Sequence, residues 1–356
     1  MKRGLVVLDP AEIDDTEWTD RVDALQTQLG SVGVDVALIY NDVSRGDDIG
    51  YLTNLVIYWN EGVLAVPAKG RPTLLTKLSR RVFSWMQKTS VLEDLRSGRS
   101  FGDLVAGYVA DSPAGTIGFV DADLWPAAVR EEIISAVPGW TTRDLGPLVR
   151  NARSLPSEAE VDLLRAGATV LRRALDDATG PGLSAVQRLS TIDLVTRHGG
   201  FADALVRASD ADGHSTIEVA GEYRHGWLLA GRTFGEAGWL TALNSAQKAA
   251  LDTLRSGVSW PGAEAAALRA LDEVPEGSVR SVRWISQADF ATGGELVGPS
   301  PTPATGEVFG IVVEVISPTD VRSVLTDTVL LTERGVEELT GPDSEYVDGA
   351  RDGDER

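Results

Sequence analysis

Helix signals and long strand signals are separated along the second half of the chain, and this separation constrains the fold most strongly. Apolar residues at helical spacing follow Ser157 and again follow Ser184. Glu160 and Gln187 stand three residues after these serines, the capping-box spacing that starts a helix. Two more helices are predicted at 242–255 and 263–273, and strands at 216–220, 223–234, 308–317 and 324–332. Helices collected apart from long antiparallel ribbons are typical of an α+β domain.

The first 150 residues instead alternate helix and strand signals. A helix is predicted at 15–30, and strands at 34–40, 62–67, 72–76 and 116–120. This alternation indicates a smaller α/β domain. The predicted domains are residues 1–150 and 151–341. The acidic, polar segment 342–356 is predicted to be disordered.

Composition excludes several functions. The formal net charge of −20 argues against nucleic-acid binding, which needs clustered lysine and arginine. The absence of cysteine excludes disulfides, zinc–thiolate sites and thiol nucleophiles. No apolar run approaches the roughly 18 residues of a membrane span, and the first apolar run is too short for a signal peptide. We therefore expect a cytoplasmic protein with no membrane or nucleic-acid partner.

The chain has three histidines, and one of them is placed for chemistry. His198 closes a predicted helix, where a cation is favourable, and this is a structural position. His214 lies in a polar loop before a strand that contains Glu218. A His four residues from a Glu at such a junction can form a proton-transfer pair. The alternative is an ordinary histidine of a surface loop.

The predicted strand 223–234 forms either a pocket wall or an ordinary aromatic sheet face. Strand alternation places Tyr223, His225, Trp227 and Leu229 on one side. Glu314 lies within the apolar run FGIVVEVIS. A carboxylate in such surroundings is costly unless it is paired or hydrogen-bonded, so it marks either a site or a sheet edge.

Several phrases of the sequence, in order, resemble those of one superfamily. These are DVALI (35–39), YLT (51–53), LLRA (163–166), RTFG (232–235) and TDTVLLTERG (326–335). Together they resemble the creatinase/prolidase/methionine aminopeptidase superfamily. The resemblance implies a creatinase-like α/β N-terminal domain followed by the α+β domain known as the pita-bread fold.

The peptidases of that superfamily hold two divalent metals with two Asp, one His and two Glu. Counted back from Arg232, the resemblance places the two Asp positions at Glu218 and Leu229, and the last Glu at Thr326. The preceding Glu falls at Val312 by strict spacing, or at Glu314 after a shift of two. No histidine follows position 225. At most two carboxylates remain, too few for a two-metal site, so we predict no metal and no other cofactor.

Creatinase, a member of that superfamily, works without metal, and two functional hypotheses follow from the resemblance. In the first, His214 is the acid/base and Glu218 and Glu314 are catalytic carboxylates, while Tyr223, His225, Trp227 and Arg232 bind substrate. The reaction would be hydrolysis or elimination at a C–N bond of a small amino-acid-like, guanidino or amide substrate. The alternative is a catalytically inactive relative that binds peptides or proteins. Convergence of His214, Glu218 and Glu314 in one enclosed pocket would favour the enzyme.

The resemblance also implies a homodimer in which the N-terminal domain of one subunit covers the partner's second domain. Aromatic residues are enriched at protein interfaces. The pairs Tyr58–Trp59 and Trp85–Met86 are therefore the predicted contact.

Overall fold

The computed structural model describes residues 8–43, 45–57, 60–180, 182–211, 213–224, 226–235, 240–255, 259–272, 274–287 and 304–341. His225, Tyr58, Trp59 and the predicted disordered tail lie outside these residues. The chain divides into two compact units, Met1–Arg153 and Ser154–Arg356. The division falls three residues after the boundary predicted from sequence. Each unit is described by itself below.

The first unit is built on a six-stranded mixed sheet. Its strands are β1 (Val36–Asn41), β2 (Gly62–Pro67), β3 (Thr73–Thr76), β4 (Asp94–Ser97), β5 (Thr116–Val120) and β6 (Thr141–Gly146). Their order in the sheet is β4-β3-β2-β1-β5-β6, with β1 antiparallel to β2 and parallel to β5. The helices are α1 (Asp15–Val32), α2 (Asp47–Thr53), α3 (Phe83–Lys88), α4 (Phe101–Val109), α5 (Ala127–Ala136) and α6 (Leu148–Arg153).

The α/β character of the first unit confirms the sequence prediction. Apolar residues pack on both faces of the sheet, which explains why β1, β2 and β5 read as nearly continuous apolar runs. Helix α1 passes Gly30 and ends at Gly33, whose φ of 67° is a conformation that favours glycine. Met86 is only 3% exposed in the core of this unit, so it is not available for the predicted dimer contact.

The described residues of the second unit form four helices and a larger sheet, which confirms the α+β prediction. The helices are α7 (Glu158–Asp177), α8 (Ala185–His198), α9 (Leu240–Arg255) and α10 (Trp260–Ala270). The strands are β7 (Asp203–Ala211), β8 (His214–Tyr223), β9 (Gly226–Phe234), β10 (Val279–Ser286), β11 (Val308–Ile316), β12 (Arg322–Thr332) and β13 (Gly335–Glu338). The sheet order is β10-β11-β12-β9-β8-β7, and β13 pairs with β12.

Both predicted capping boxes are present and start the helices that cover this sheet. Ser157 with Glu160 begins α7, and Ser184 with Gln187 begins α8. Helices α7 and α8 pack on alternate residues of β8 and β9, and α9 and α10 pack on alternate residues of β11 and β12. Within the described part of the chain, no helix has the length and apolarity needed to span a bilayer.

The observed bounds of two strands, β8 and β9, differ from those predicted from the sequence. Strand β8 continues to Tyr223, and the chain turns at Arg224, whose φ is 54°. The sequence analysis instead assigns Tyr223 to the start of the following strand. Strands β7 and β10 were not predicted, since β7 is largely polar and exposed along its second half.

Candidate functional site

The side of the second sheet that faces away from its helices collects the candidate residues, and we call it the site face. Side chains of a strand point alternately to the two faces. Ile217 and Val219 of β8 pack in the helix-covered core, so Glu218 points to the site face. Val313 and Val315 of β11 likewise pack beneath helices and leave Glu314 on the site face.

Strand register places the family-matched positions in one row across the site face. Glu218 pairs with Gly231, Gly231 with Thr326, and Thr326 with Val312. Glu314 lies in the next pair on the same face, opposite Val324. Val312, the position that strict sequence spacing gives for the preceding Glu, therefore lies opposite Thr326. The carboxylate of Glu314 stands two residues further along β11.

Arg322, the first residue of β12, lies between the two carboxylates. Its Nη1 donates to Oε2 of Glu218, and its Nη2 donates to Oε1 of Glu218 at 3.0 Å. Its Nε and Nη2 donate to Oε2 of Glu314 at 3.0 and 2.8 Å. Arg283 of β10 makes a longer contact, 3.4 Å from Nη2 to the same Glu314 oxygen. Two glutamates and two arginines form a cluster with no formal net charge.

The cluster is largely sheltered from solvent. The side chains of Glu218 and Glu314 are 18% and 14% exposed, and that of Arg322 is 36% exposed. The hydrogen bonds from Arg322 to Glu218, with a smaller contribution from Glu314, raise the pKa of Arg322 above its ordinary value despite its burial. The guanidinium is therefore a permanent positive charge at this position.

Two threonines fix the backbone that carries Arg322. Thr216 donates from Oγ1 to the carbonyl oxygen of Arg322 at 3.0 Å. Thr233 Oγ1 donates to the carbonyl oxygen of Val324 at 3.1 Å and accepts from its N–H at 2.8 Å. The two hydroxyls are 3.1 Å apart. These bonds join β8 and β9 to the start of β12, so the backbone from which the Arg322 side chain extends is held by the sheet.

An apolar patch adjoins the charged cluster on the same face. Ala220 and Trp227 form a small buried cluster of their own, with the partly buried Leu229 and Ile285 packed against it. We call these four residues the apolar patch. Leu229, the position to which the sequence resemblance assigns the second Asp, thus contributes an apolar side chain to this face.

His214 is separate from the carboxylates. It is the first residue of β8, and Glu218 is the fifth. Four residues of strand place their Cα atoms about 13 Å apart, too far for a hydrogen bond between the side chains. Its ring lies instead beside Gly235, where a Cβ atom would come 2.9 Å from Cδ2 of His214. The structure brings Glu218 and Glu314 together and leaves His214 outside their cluster.

Two predicted substrate-binding residues point to the helix side of the sheet. Tyr223 packs on Phe201, with ring centroids 5.0 Å apart, and touches the helix at Gly167. Arg232 donates from Nη2 to the fully buried Asp327 at 2.7 Å. The prediction that Tyr223 and Trp227 share a face is thus wrong. Tyr223 pairs with Gly226 across the turn, so the next residue, Trp227, points to the opposite face. Trp227 does lie on the site face, and His225 is outside the described residues.

The described residues of the site face do not fit a two-metal centre. Glu218 and Glu314 already bind a guanidinium, and Leu229 and Val312 have no ligand atom. Thr326 is 1% exposed and offers one hydroxyl, against which a Cβ at Gly231 would lie at 3.0 Å. No group of three or more histidine, aspartate or glutamate side chains among the described residues is arranged to hold a metal.

Arg322 and Arg283 were missed by reasoning from the sequence, although one signal was present. Ile316 pairs with Arg322 across the hairpin loop 317–321, which places Arg322 diagonally opposite Glu314. Diagonal neighbours on one face lie within reach of long side chains. A carboxylate in an apolar strand, with an arginine at the diagonal position of the next strand, predicts this ion pair. The contribution of Glu218 depends on the sheet order and was not predictable in that way.

Residues 21–155 match the family model of the creatinase/prolidase N-terminal domain. A search of curated protein sequences finds no match. Among solved structures, the chain is similar to the prolidase from Pyrococcus horikoshii OT3, with 15% identity, a TM-score of 0.74 and coverage of 92% of this chain and 99% of that one. It is also similar to a Xaa-Pro dipeptidase from Bacillus anthracis, with 18% identity, a TM-score of 0.73 and coverage of 92% and 98%.

A third similar structure is the dipeptidase PepE from Mycobacterium ulcerans, with 20% identity, a TM-score of 0.71 and coverage of 93% of this chain and 97% of that one. The chain therefore has the two-domain fold of the prolidases and related dipeptidases. The family-model match lies almost entirely within its first unit, which is therefore a creatinase/prolidase N-terminal domain.

Proposed function

We propose that this chain is a binding protein with the peptidase fold, which recognises peptide segments on the site face and does not cleave them. The proposal is supported most directly by the contacts of Arg322. Both carboxylates that remain near the family's metal positions are hydrogen-bonded to this one guanidinium. A carboxylate neutralised in this way is a poor ligand for a metal and a poor base.

The remainder of the site face has the make-up of a recognition surface. The partly buried Leu229 and Ile285, which pack on the buried Trp227, provide apolar area beside a polar border formed by Arg283 and Arg322. Arg is among the residues that most often dominate binding energy at interfaces, and an apolar centre with a polar rim is the usual arrangement. An extended peptide is the ligand that we propose for this face.

The test combines binding and cleavage on the same samples. The full chain is incubated with a peptide library that includes X-Pro dipeptides, with and without excess manganese. Bound peptides are then recovered and identified by mass spectrometry. We expect recovered peptides with unchanged masses and no amino acid released above the protein-free control. Metal-dependent release of amino acids by the purified chain would contradict the proposal.

A pair of variants tests whether the site face is the binding surface. Leu229→Arg introduces a bulky charge into the apolar patch and is expected to weaken peptide binding at least about tenfold, as for a central interface residue. Leu194→Arg is the matched control, because Leu194 is 59% exposed on α8 and lies far from the patch in sequence. Equal binding by the two variants would place the peptide elsewhere.

The metal-independent enzyme remains the second hypothesis, and His214 decides it. If the chain acts on a C–N bond through His214, the variant His214→Ala loses about 10²–10⁴-fold in rate, as expected for removal of an acid/base. His198→Ala, at the end of α8, is the matched control with unchanged rate. The separation of His214 from Glu218 favours binding over this chemistry.

We also propose, from the superfamily resemblance, that the chain is a homodimer in solution. Light scattering should then give twice the mass of the 37.9 kDa chain at micromolar concentration. A mass of one chain under these conditions would overturn the dimer.

A further inference from the structure

Two carboxylates from different strands approach one point on the site face. Glu218 comes from β8 and Glu314 from β11, and each is more than four-fifths buried. Sheltered like charges repel, and without a cation one of them would have to take up a proton. The cation supplied here is a side chain of the same protein.

We infer that Arg322 is the resident cation of a two-carboxylate site, and that this site accepts a free guanidinium ion when the Arg322 side chain is removed. The site would thus be a receptor for a planar cation, and Arg322 is its covalently attached occupant. This inference concerns the same face as the proposed peptide binding. It does not depend on which ligand, if any, binds the apolar patch.

The geometry explains the preference for a planar cation. Both terminal nitrogens of Arg322 bond to Glu218, while Nε and Nη2 bond to Glu314, so two edges of the guanidinium are used at once. Fork-to-carboxylate pairing of this kind is specific to the guanidinium shape. A hard divalent cation such as Mg²⁺ or Ca²⁺ needs six or more oxygen ligands, or water in their place. The neighbouring Leu229 and Val312 are apolar and offer it no ligand atom.

A merely structural ion pair would behave differently from a cation site. The pair Arg280–Asp272 has a similar distance of 3.0 Å, but Asp272 is 74% exposed and is the one carboxylate in the contact. Removing Arg280 leaves one exposed charge that water solvates. Removing Arg322 leaves two sheltered carboxylates with Arg283 at 3.4 Å from Glu314, so the cluster keeps a net negative charge that a replacement cation would balance. Stabilisation of the variant by a small added cation therefore distinguishes a cation site from a structural ion pair.

The experiment measures thermal unfolding of Arg322→Ala, Arg280→Ala and the unaltered chain in matched sodium and guanidinium chloride. The concentration is about 20 mM, far below the molar range in which guanidinium unfolds proteins. We expect Arg322→Ala to have a lowered Tm that guanidinium raises in a saturable manner. The other two proteins should respond equally to both salts. A folded Arg322→Ala that does not respond to guanidinium overturns the inference.

Two further arms define the site. Adding Glu218→Gln to Arg322→Ala should abolish the rescue, and rescue that persists in the double variant would show that the ion binds elsewhere. Manganese at the same concentration should leave the Tm of Arg322→Ala unchanged. A larger increase with manganese than with guanidinium would overturn the preference for a planar cation.

If Arg322→Ala does not fold, Arg322→Met keeps most of the side-chain length without the charge, and the refolding yield becomes the measurement. A higher yield in guanidinium than in sodium chloride supports the site, and equal yields overturn it. The peptide-binding proposal is tested on the unaltered chain without added guanidinium. Its failure would therefore leave this result standing, and the reverse also holds.

Discussion

Arg232 and Arg322 are both paired with carboxylates in the same sheet, yet they lie on opposite faces of it and have different roles. Arg232 faces the helices and bonds to Asp327 at 2.7 Å and to the carbonyl oxygens of Thr326 and Thr340 at 2.7 and 2.8 Å. Asp327 has no exposed area and also accepts from Gln247 of α9 at 3.0 Å. Arg322 faces the other side and holds two carboxylates while staying partly exposed.

The difference shows how one kind of ion pair can hold a fold together in one place and fill a site in another. The Arg232 network joins β9, β12 and α9 and satisfies its own buried polar groups. The fold depends on it. The Arg322 cluster uses one arginine to balance two sheltered carboxylates on the site face.

Breaking the Arg232 network should have the largest effect on stability. Asp327→Asn removes the buried negative charge and leaves the Arg232 guanidinium without its counterion. Breaking a buried pair from one side costs about 3–5 kcal/mol in free energy of unfolding. Chemical denaturation of the purified variant measures this loss. The exposed Asp272→Asn is the control and should change stability by less than about 0.5 kcal/mol. Similar losses in the two variants would remove the distinction.

Glu218→Gln should cost less, because its partner keeps a second carboxylate. Arg322 retains its bonds to Glu314, and its exposed edge is partly solvated. We expect a loss of about 1–2 kcal/mol, in the range for a hydrogen bond to a charged group. A double-mutant cycle with Arg322→Ala isolates the coupling between the two residues. A loss as large as that of Asp327→Asn would mean that the cluster is part of the folding core.

The sequence predicted the fold better than the site, for a physical reason. Capping boxes and apolar periodicity act within one element, so Ser157 and Ser184 identified their helices correctly. The α/β and α+β characters of the two units followed from the same local patterns. The polar strand β7 was missed because edge strands do not need an apolar pattern.

The site required information that local patterns do not contain. Glu314 was recognised as needing a partner, since its strand is otherwise apolar. The identity of that partner depended on the hairpin register between β11 and β12. The approach of Glu218 depended on β8 lying two strands away from β12 in the sheet. His214 was paired with Glu218 from closeness in sequence, but an extended strand places such residues far apart.

Breaking the ion pair Arg165–Glu337 should have the smallest effect on stability, because this pair is the most exposed of the three compared. Arg165 of α7 bonds to both oxygens of Glu337 of β13 at 2.9 and 2.7 Å, with the side chains 44% and 38% exposed. The hydrogen bonds from Arg165 hold the pKa of Glu337 below its ordinary value of 4.5. A lowered carboxylate pKa contributes stability above the unfolded-state pKa, and this contribution is lost as pH falls through the lower folded-state value.

Glu337→Gln should therefore reduce stability slightly at neutral pH and not at all in strong acid. The expected loss at pH 7 is below about 1 kcal/mol, because water screens an exposed pair even when its geometry is bidentate. The difference in Tm between the unaltered chain and the variant should shrink as the pH falls below 4.5, and added salt at pH 7 should reduce it as well. A difference in Tm that grew as the pH fell would contradict a lowered pKa of Glu337 in the folded state. A loss at pH 7 equal to that of Glu218→Gln would show that exposure does not rank the ion pairs of this sheet.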